Sequence, residues 1–491
     1  MFGSVELVEA AQEDGSVATV CRPSPPQQAL SQDLFGRFAR WAGVATAFLR
    51  RADGKAADAF AQDARNFGTY LLLQRIGSDI SQALWRALFV SESEKILALL
   101  LGAIRANSDE FVFSRRTAPE VIDLEIEIDT APEPGEAGRY TVKARTAVGS
   151  AAARLTLPFD DQALEMFVLK HCNPRGAVRG HRPPTAVSPY SDFGGKMFDA
   201  LFVDRVRELY FAARTHSRAM HKGLRIRLRH AGAPELAKLP WELLYDGTDF
   251  LFLDPKSALV RHIDSEFTVP AAETASPLRI LVTVSSPDGA VALDTEAEIR
   301  LLRTALGPYV ELGLIELVFS PDGKLSTLQR LLTSADRAGH PFHVWHFIGH
   351  GVFDEREKRG FLIFEADRGS RLVSGFELGT LFHNYDGLRL VVTNACETGV
   401  IDELDSLSGI TAALVERGVP MVVAMQFRVS DFAALNFAGH FYAAVASGVP
   451  ADVAVTEARR AIFFLPNYGE WATPVLYTRD ETCRVLAPRV E

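Results

Sequence analysis

Apolar positions recur with different periods in different stretches of the chain, and the changes of period mark its organisation. Residues 1–26 are polar and end in Pro23, Pro25 and Pro26, so they read as a flexible lead-in. Over 27–118 the period is helical. Leu34, Phe38, Trp41, Ala45 and Phe48 fall three or four apart, Ile80, Leu84 and Leu88 form a further stripe, and Ser91 with Glu94 reads as a capping box. These stripes are packing faces rather than ligand sites.

From residue 119 the period is two. Leu124, Ile126 and Ile128 alternate with acidic residues. Tyr140, Val142 and Ala144 form a return strand, Leu155 and Leu157 a third, and an apolar helix near 164–168 follows. This is an antiparallel meander. A Pro- and Gly-rich linker covers 173–191. Helices follow at Phe193 to Leu201 and Val206 to Phe211, then a strand, Leu224 to Arg229, whose arginine face suits solvent or pairing with the acidic strand better than an anion. The α+β region so defined spans 119–275.

Over 276–491 strands and helices alternate. Strands are expected at 278–284, 314–319, 342–348, 388–393, 420–426 and 474–477. Helices are expected at 294–306, 324–337, 375–382, 408–417, 431–446 and 452–463, with a hairpin near 361–373. The succession predicts an α/β core with a mostly parallel sheet flanked by helices.

Two of these strands matter most. His343 to Ile348 runs into Gly349-His350-Gly351, and Leu388 to Thr393 runs into Asn394-Ala395-Cys396. Apolar runs rich in aromatic or β-branched residues suit strands buried on both faces of a parallel sheet, whose chemistry sits at the carboxyl ends. Neighbouring strands lie about 4.8 Å apart, so pairing these two would bring an imidazole to a thiol. A free thiol, with a pKa of about 8.5, needs such a base. His350 and Cys396 are therefore candidate catalytic residues, with the N–H groups of Gly351 and Cys396 as a candidate oxyanion hole. The bland alternative is a buried cysteine and a satisfied core histidine.

Composition narrows the rest. At 491 residues the chain exceeds one core, and 47% hydrophobic with 23% charged content is ordinary for a globular protein. A net charge of −10 gives no footprint for nucleic acid. Cys21, Cys172, Cys396 and Cys483 are widely spaced, which predicts neither disulfides nor a zinc module and suggests a cytoplasmic setting. No secretory signal, membrane span or nucleotide loop is expected. His340, His343, His346 and His350 crowd one segment, but strand periodicity sends His343 and His346 to opposite faces, so no metal site is expected.

Five segments together resemble the CHAT-domain proteins, caspase-like cysteine peptidases related to caspases and separase. They are Leu239 to Tyr245, His346 to Gly351, Asn394 to Gly399, Gly418 to Phe427 and Trp471 to Tyr477. The resemblance covers roughly 192–480. It implies His350 as general base, Cys396 as nucleophile and hydrolysis of a protein or peptide substrate through an acyl-enzyme, without a cofactor. Relatives that cut after basic residues carry a carboxylate two positions before the nucleophile, where this chain has Asn394, so that specificity is not implied. Gln426 and Asp431 join Asn394 as candidate substrate-binding residues. An activating partner or ligand is expected at the N-terminal half, and 119–275 could be a degenerate companion fold. The alternatives are a non-catalytic peptide-binding module of the same fold and a metal-dependent hydrolase. The acidic stretch 401–407 is a candidate loop for self-cleavage.

Overall fold

The structure, a computed structural model, describes residues 5–11, 17–23, 120–130, 139–172, 188–269, 272, 277–287, 293, 295–354, 356–357, 359–395, 401–427, 429–464 and 469–487. The chain forms two compact units, Met1–Arg115 and Arg116–Glu491. In the first, β1 (Val5–Ala11) and β2 (Val17–Pro23) pair antiparallel. The stretch read as a lead-in thus carries a hairpin; its apolar alternation is too short to stand out from sequence. The helical stripes expected over 27–118 lie outside the described residues.

The second unit is organised by one eleven-stranded sheet and a small three-stranded one. The strands are β3 (Val121–Thr130), β4 (Arg139–Thr146), β5 (Gly149–Thr156), β6 (Gly223–Gly232), β7 (Ser257–His262), β8 (Leu278–Val284), β9 (Ile315–Phe319) and β10 (Val344–Ile348). There follow β11 (His350–Asp354), β12 (Arg359–Glu365), β13 (Ser370–Ser374), β14 (Leu390–Asn394), β15 (Met421–Met425) and β16 (Pro474–Thr478). The large sheet has the order β5-β4-β3-β6-β7-β16-β15-β14-β10-β8-β9, and β11-β12-β13 form the small one. The expected division at 275 falls between β7 and β8, both strands of this one sheet.

The large sheet is parallel except at β15–β16, β3–β4 and β4–β5. The β15–β16 step reverses its direction. Consequently the carboxyl ends of β10, β14 and β15 share one edge with the amino ends of β16, β7 and β6.

Helices α1 (Asp161–His171), α2 (Pro189–Leu201), α3 (Asp204–Ala219), α4 (Thr295–Glu311), α5 (Leu325–Arg337), α6 (Gly375–Phe382), α7 (Ile401–Glu416), α8 (Asp431–Ala446) and α9 (Ala451–Phe463) flank the sheet. Alternate strand residues feed two cores. Val344, Ile348, Leu390 and Val392 join Phe437, Tyr442 and Ala458 of α8 and α9. Trp345, Phe347 and Val391 join Leu328, Leu378 and Leu414 of α5, α6 and α7. All five residues of β10 are buried, His346 among them, as a strand covered on both faces requires.

Three local differences from the sequence reading have physical causes. β7 was not foreseen because Arg261 interrupts its apolar run. α7 begins at Ile401 rather than Ser408, so the acidic stretch is helix. The small sheet has a third strand, β11, which starts at His350 itself. The arginine face of β6 pairs with the acidic strand, as one reading anticipated. Arg225 is buried and donates to both oxygens of Asp123, at 2.6 and 3.0 Å.

Candidate active site

β10 and β14 pair in parallel, with Ile348 opposite Asn394. The pairing runs one step past the strands, where the Gly349 N–H donates to the Asn394 carbonyl at 3.2 Å. One residue further, Gly351 lies against Ala395: a β-carbon on Gly351 would stand 3.0 Å from the Ala395 carbonyl oxygen. The histidine segment therefore travels alongside the chain leading to Cys396. Cys396 itself, with Glu397 to Val400, lies outside the described residues.

His350 is buried and sits opposite Ile363 of β12. Several groups fix its place. The Ser285 N–H donates to the Ile348 carbonyl at 2.8 Å, and the Ser285 hydroxyl donates to the Ile363 carbonyl at 2.8 Å. The end of β8 is thereby tied both to β10 and to β12, at the residue that pairs with His350. A β-carbon on Gly349 would stand 2.6 Å from the Phe347 ring and 3.2 Å from the Ser285 carbonyl oxygen, so only glycine fits that bend.

The other histidines of the segment have structural employment. His343 Nδ1 accepts the Arg279 N–H at 3.0 Å, and His346 Nδ1 shares a hydrogen bond of 2.7 Å with the Tyr442 hydroxyl. Burial pushes the His346 imidazole down to about 4, and burial with the nearby Arg279 guanidinium does the same for His343. Both are neutral near pH 7. Among the described residues no group of three or more His, Cys, Asp or Glu is placed to hold a metal ion.

Of the candidate substrate-binding residues, Asn394 ends β14 half-buried and Asp431 opens α8. Gln426, just past β15, is engaged elsewhere. Its Nε2 donates to Glu242 Oε2 at 2.8 Å and to the Ala472 carbonyl at 2.7 Å, and its Oε1 accepts from Arg261 Nη2 at 3.2 Å.

These bonds belong to a buried polar network that the sequence reading missed. Glu242, fully buried, pairs with Arg261 at 2.8 Å and lies 3.8 Å from Arg459. Arg261 also donates to the Tyr477 hydroxyl at 3.1 Å, and Arg459 to the Pro474 carbonyl at 2.5 and 3.1 Å. Burial pushes the Arg459 guanidinium down to about 10; Glu242 opposes that drop and Arg261 adds to it. The segments around Trp241, Gln426 and Trp471 are thus three parts of one clamp across β7, β15 and β16. The only sequence signal for it is a charge inside each of two otherwise apolar stretches.

The match to known families follows the same segments. The family model of the CHAT domain matches residues 194–477, more than half of the 491-residue chain. The chain belongs to the CHAT domain family. In this CHAT protein the match runs from α2 into β16 and so takes in the Glu242 clamp, the His350 segment and the β14 end. Among solved structures the CHAT protein is similar to chains in two crystal structures of the Saccharomyces cerevisiae separase–securin complex. One, at 3.0 Å resolution, gives a TM-score of 0.37 and 12% identity over 86% of this chain and 33% of that one. The other, at 2.6 Å, gives 0.38 and 11% over 93% and 38%. The CHAT protein therefore spans between 33% and 38% of the length of those chains. No curated protein matches it.

Proposed function

We propose that this CHAT protein is a cysteine endopeptidase that cleaves a protein substrate with His350 as general base and Cys396 as nucleophile. The observation that carries the reading is the parallel register of β10 and β14. His350 and Cys396 each follow the paired residues Ile348 and Asn394 by two positions, and Gly351 packs on Ala395.

In the mechanism the His350 imidazole takes the thiol proton, and the sulfur attacks the scissile carbonyl carbon. The N–H groups of Gly351 and Cys396 receive the oxyanion. His350 then returns the proton to the leaving amine, and an acyl-enzyme remains. Water, deprotonated by His350, attacks the thioester and releases the acid. No metal or cofactor enters this cycle. Asn394, two positions before the sulfur, is neutral, so nothing there selects Arg or Lys before the cut, and a polar or apolar residue fits as well.

Two further elements belong to the reading. A partner or ligand engaging the N-terminal half activates the enzyme, and the setting is cytoplasmic, in keeping with the free buried thiols Cys172 and Cys483.

Incubating the purified full-length chain with a diverse peptide library, beside a Cys396→Ala control, tests the proposal. Cleavage by the wild type alone is expected. Identical digests from both proteins, with and without candidate activators, would contradict it. Stoichiometric peptide binding without cleavage or thiol labelling would instead indicate a non-catalytic peptide-holding module.

A further inference from the structure

A cavity of about 580 Å³ opens along the same sheet edge as the candidate active site. Leu224 and Ser257, near the amino ends of β6 and β7, line it together with the last turns of α3 and α9 and the loop leading into β7. β7 and β6 are three and four strands from β14. At about 4.8 Å per strand the separation is roughly 14 to 19 Å. An extended polypeptide, rising about 3.3 Å per residue, covers that in about four to six residues.

The lining combines an apolar seat with surplus positive charge. Phe250 and Leu251 are buried, while Phe464 at the rim is 72% exposed, the most exposed large apolar residue among those described. Arg214 is already committed to Asp246 at 2.6 Å, and Lys222 to Glu120 at 2.7 Å. Arg218, Lys256 and Arg460 have no carboxylate partner among the described residues. The lining holds two further carboxylates, Asp249 and Asp254, and Asp254 already accepts the Lys256 N–H at 3.0 Å. A locally cationic surface around an exposed phenylalanine, on a chain of net charge −10, is complementary to an acidic segment with an apolar side chain.

We infer that this cavity is a docking subsite for the substrate polypeptide. It takes an apolar residue flanked by carboxylates, about four to six residues from the scissile bond. Phe250, Leu251 and Phe464 seat the apolar side chain, and Arg218, Lys256 and Arg460 face the acids. The inference rests on the peptidase reading for the identity of its ligand, whereas the cavity and its charges stand apart from that reading.

The test uses two fluorescein-labelled peptide pools, one with a fixed Glu-Phe-Glu core and one with Lys-Phe-Lys, on full-length Cys396→Ala protein. The acidic pool is expected to bind about tenfold more tightly. Arg218→Glu with Lys256→Glu, both at exposed positions, removes the preference. Equal binding of the pools, or a preference that survives the charge reversal, overturns the inference. A second arm places a chloroacetyl group at increasing spacings from Glu-Phe-Glu and follows labelling of wild-type Cys396. Labelling is expected to peak at about four to six residues, and a flat dependence on spacing overturns the assignment to substrate. If free iodoacetamide leaves Cys396 untouched while the acidic pool still binds in a charge-dependent way, the peptidase reading falls and the cavity survives as a binding site.

Discussion

Gly351 and Ala395 are packed so closely that a single added carbon on the first would stand 3.0 Å from the carbonyl oxygen of the second. The histidine segment and the approach to the cysteine therefore share one backbone-to-backbone contact. It is framed by the Gly349 hydrogen bond to Asn394 and by the two Ser285 bonds to Ile348 and Ile363. Geometry set by backbone and strand register is stiff, which suits the chemistry proposed for His350 and Cys396.

Gly351→Ala tests that contact. The new methyl forces the His350 segment outward by a few tenths of an ångström without emptying the core. We expect kcat to fall about 10- to 100-fold while the thermal midpoint moves by only a few degrees. Unchanged kcat in a folded variant would show that the separation of the two segments does not matter.

The clamp around Glu242 is a stability device. Removing the carboxylate leaves Arg261 and Arg459 buried side by side with no anion between them. Glu242→Ala is therefore expected to cost about 3–5 kcal/mol, the usual penalty for orphaning a buried charge. Urea unfolding measures it. A loss below 1 kcal/mol would mean that the guanidiniums find other partners.

Acid should unfold this protein through its histidines. Burial, assisted by neighbouring guanidiniums at His230, His262 and His343, pushes four imidazoles down to about 4, with His346 lowered by burial alone. The unfolded chain binds these protons near pH 6.5 and the native chain only near pH 4. Their stabilisation is complete above pH 6.5 and is lost as pH falls through that window, at about 1.4 kcal/mol per pH unit for each histidine. Urea midpoints measured from pH 7 to 4 should show a slope smaller by one proton in His346→Asn than in the wild type. Parallel slopes would contradict the assignment of a neutral, buried His346.

Much of this architecture was legible because burial on both faces leaves mostly apolar runs, as in Val344 to Ile348 and Leu390 to Thr393. The expected bounds of helices α6 and α8 match the observed ones, where the Ser374 and Ser430 hydroxyls cap them by accepting the Glu377 and Ala433 N–H groups. What escaped the sequence depends on partners far along the chain. Arg261 is compatible with a buried strand only because Glu242 meets it there. Gln426, taken for a substrate-binding residue, spends its amide on Glu242, 184 residues away in sequence, as well as on Arg261 and Ala472. β11 was hidden because Gly349 and Gly351 resemble a loop, whereas both glycines are required by neighbouring atoms. The two candidate motifs were legible at strand ends, whereas the register that sets Ile348 opposite Asn394 was not.

The most direct measurement is the pH dependence of Cys396 alkylation by iodoacetamide, read on the Cys396 peptide by mass spectrometry, in wild type and His350→Ala. If the imidazole serves the sulfur, the wild-type thiol titrates at least about one unit below the ordinary 8.5, and the variant returns towards that value. Superimposable profiles for the two proteins would show that His350 does not act on Cys396.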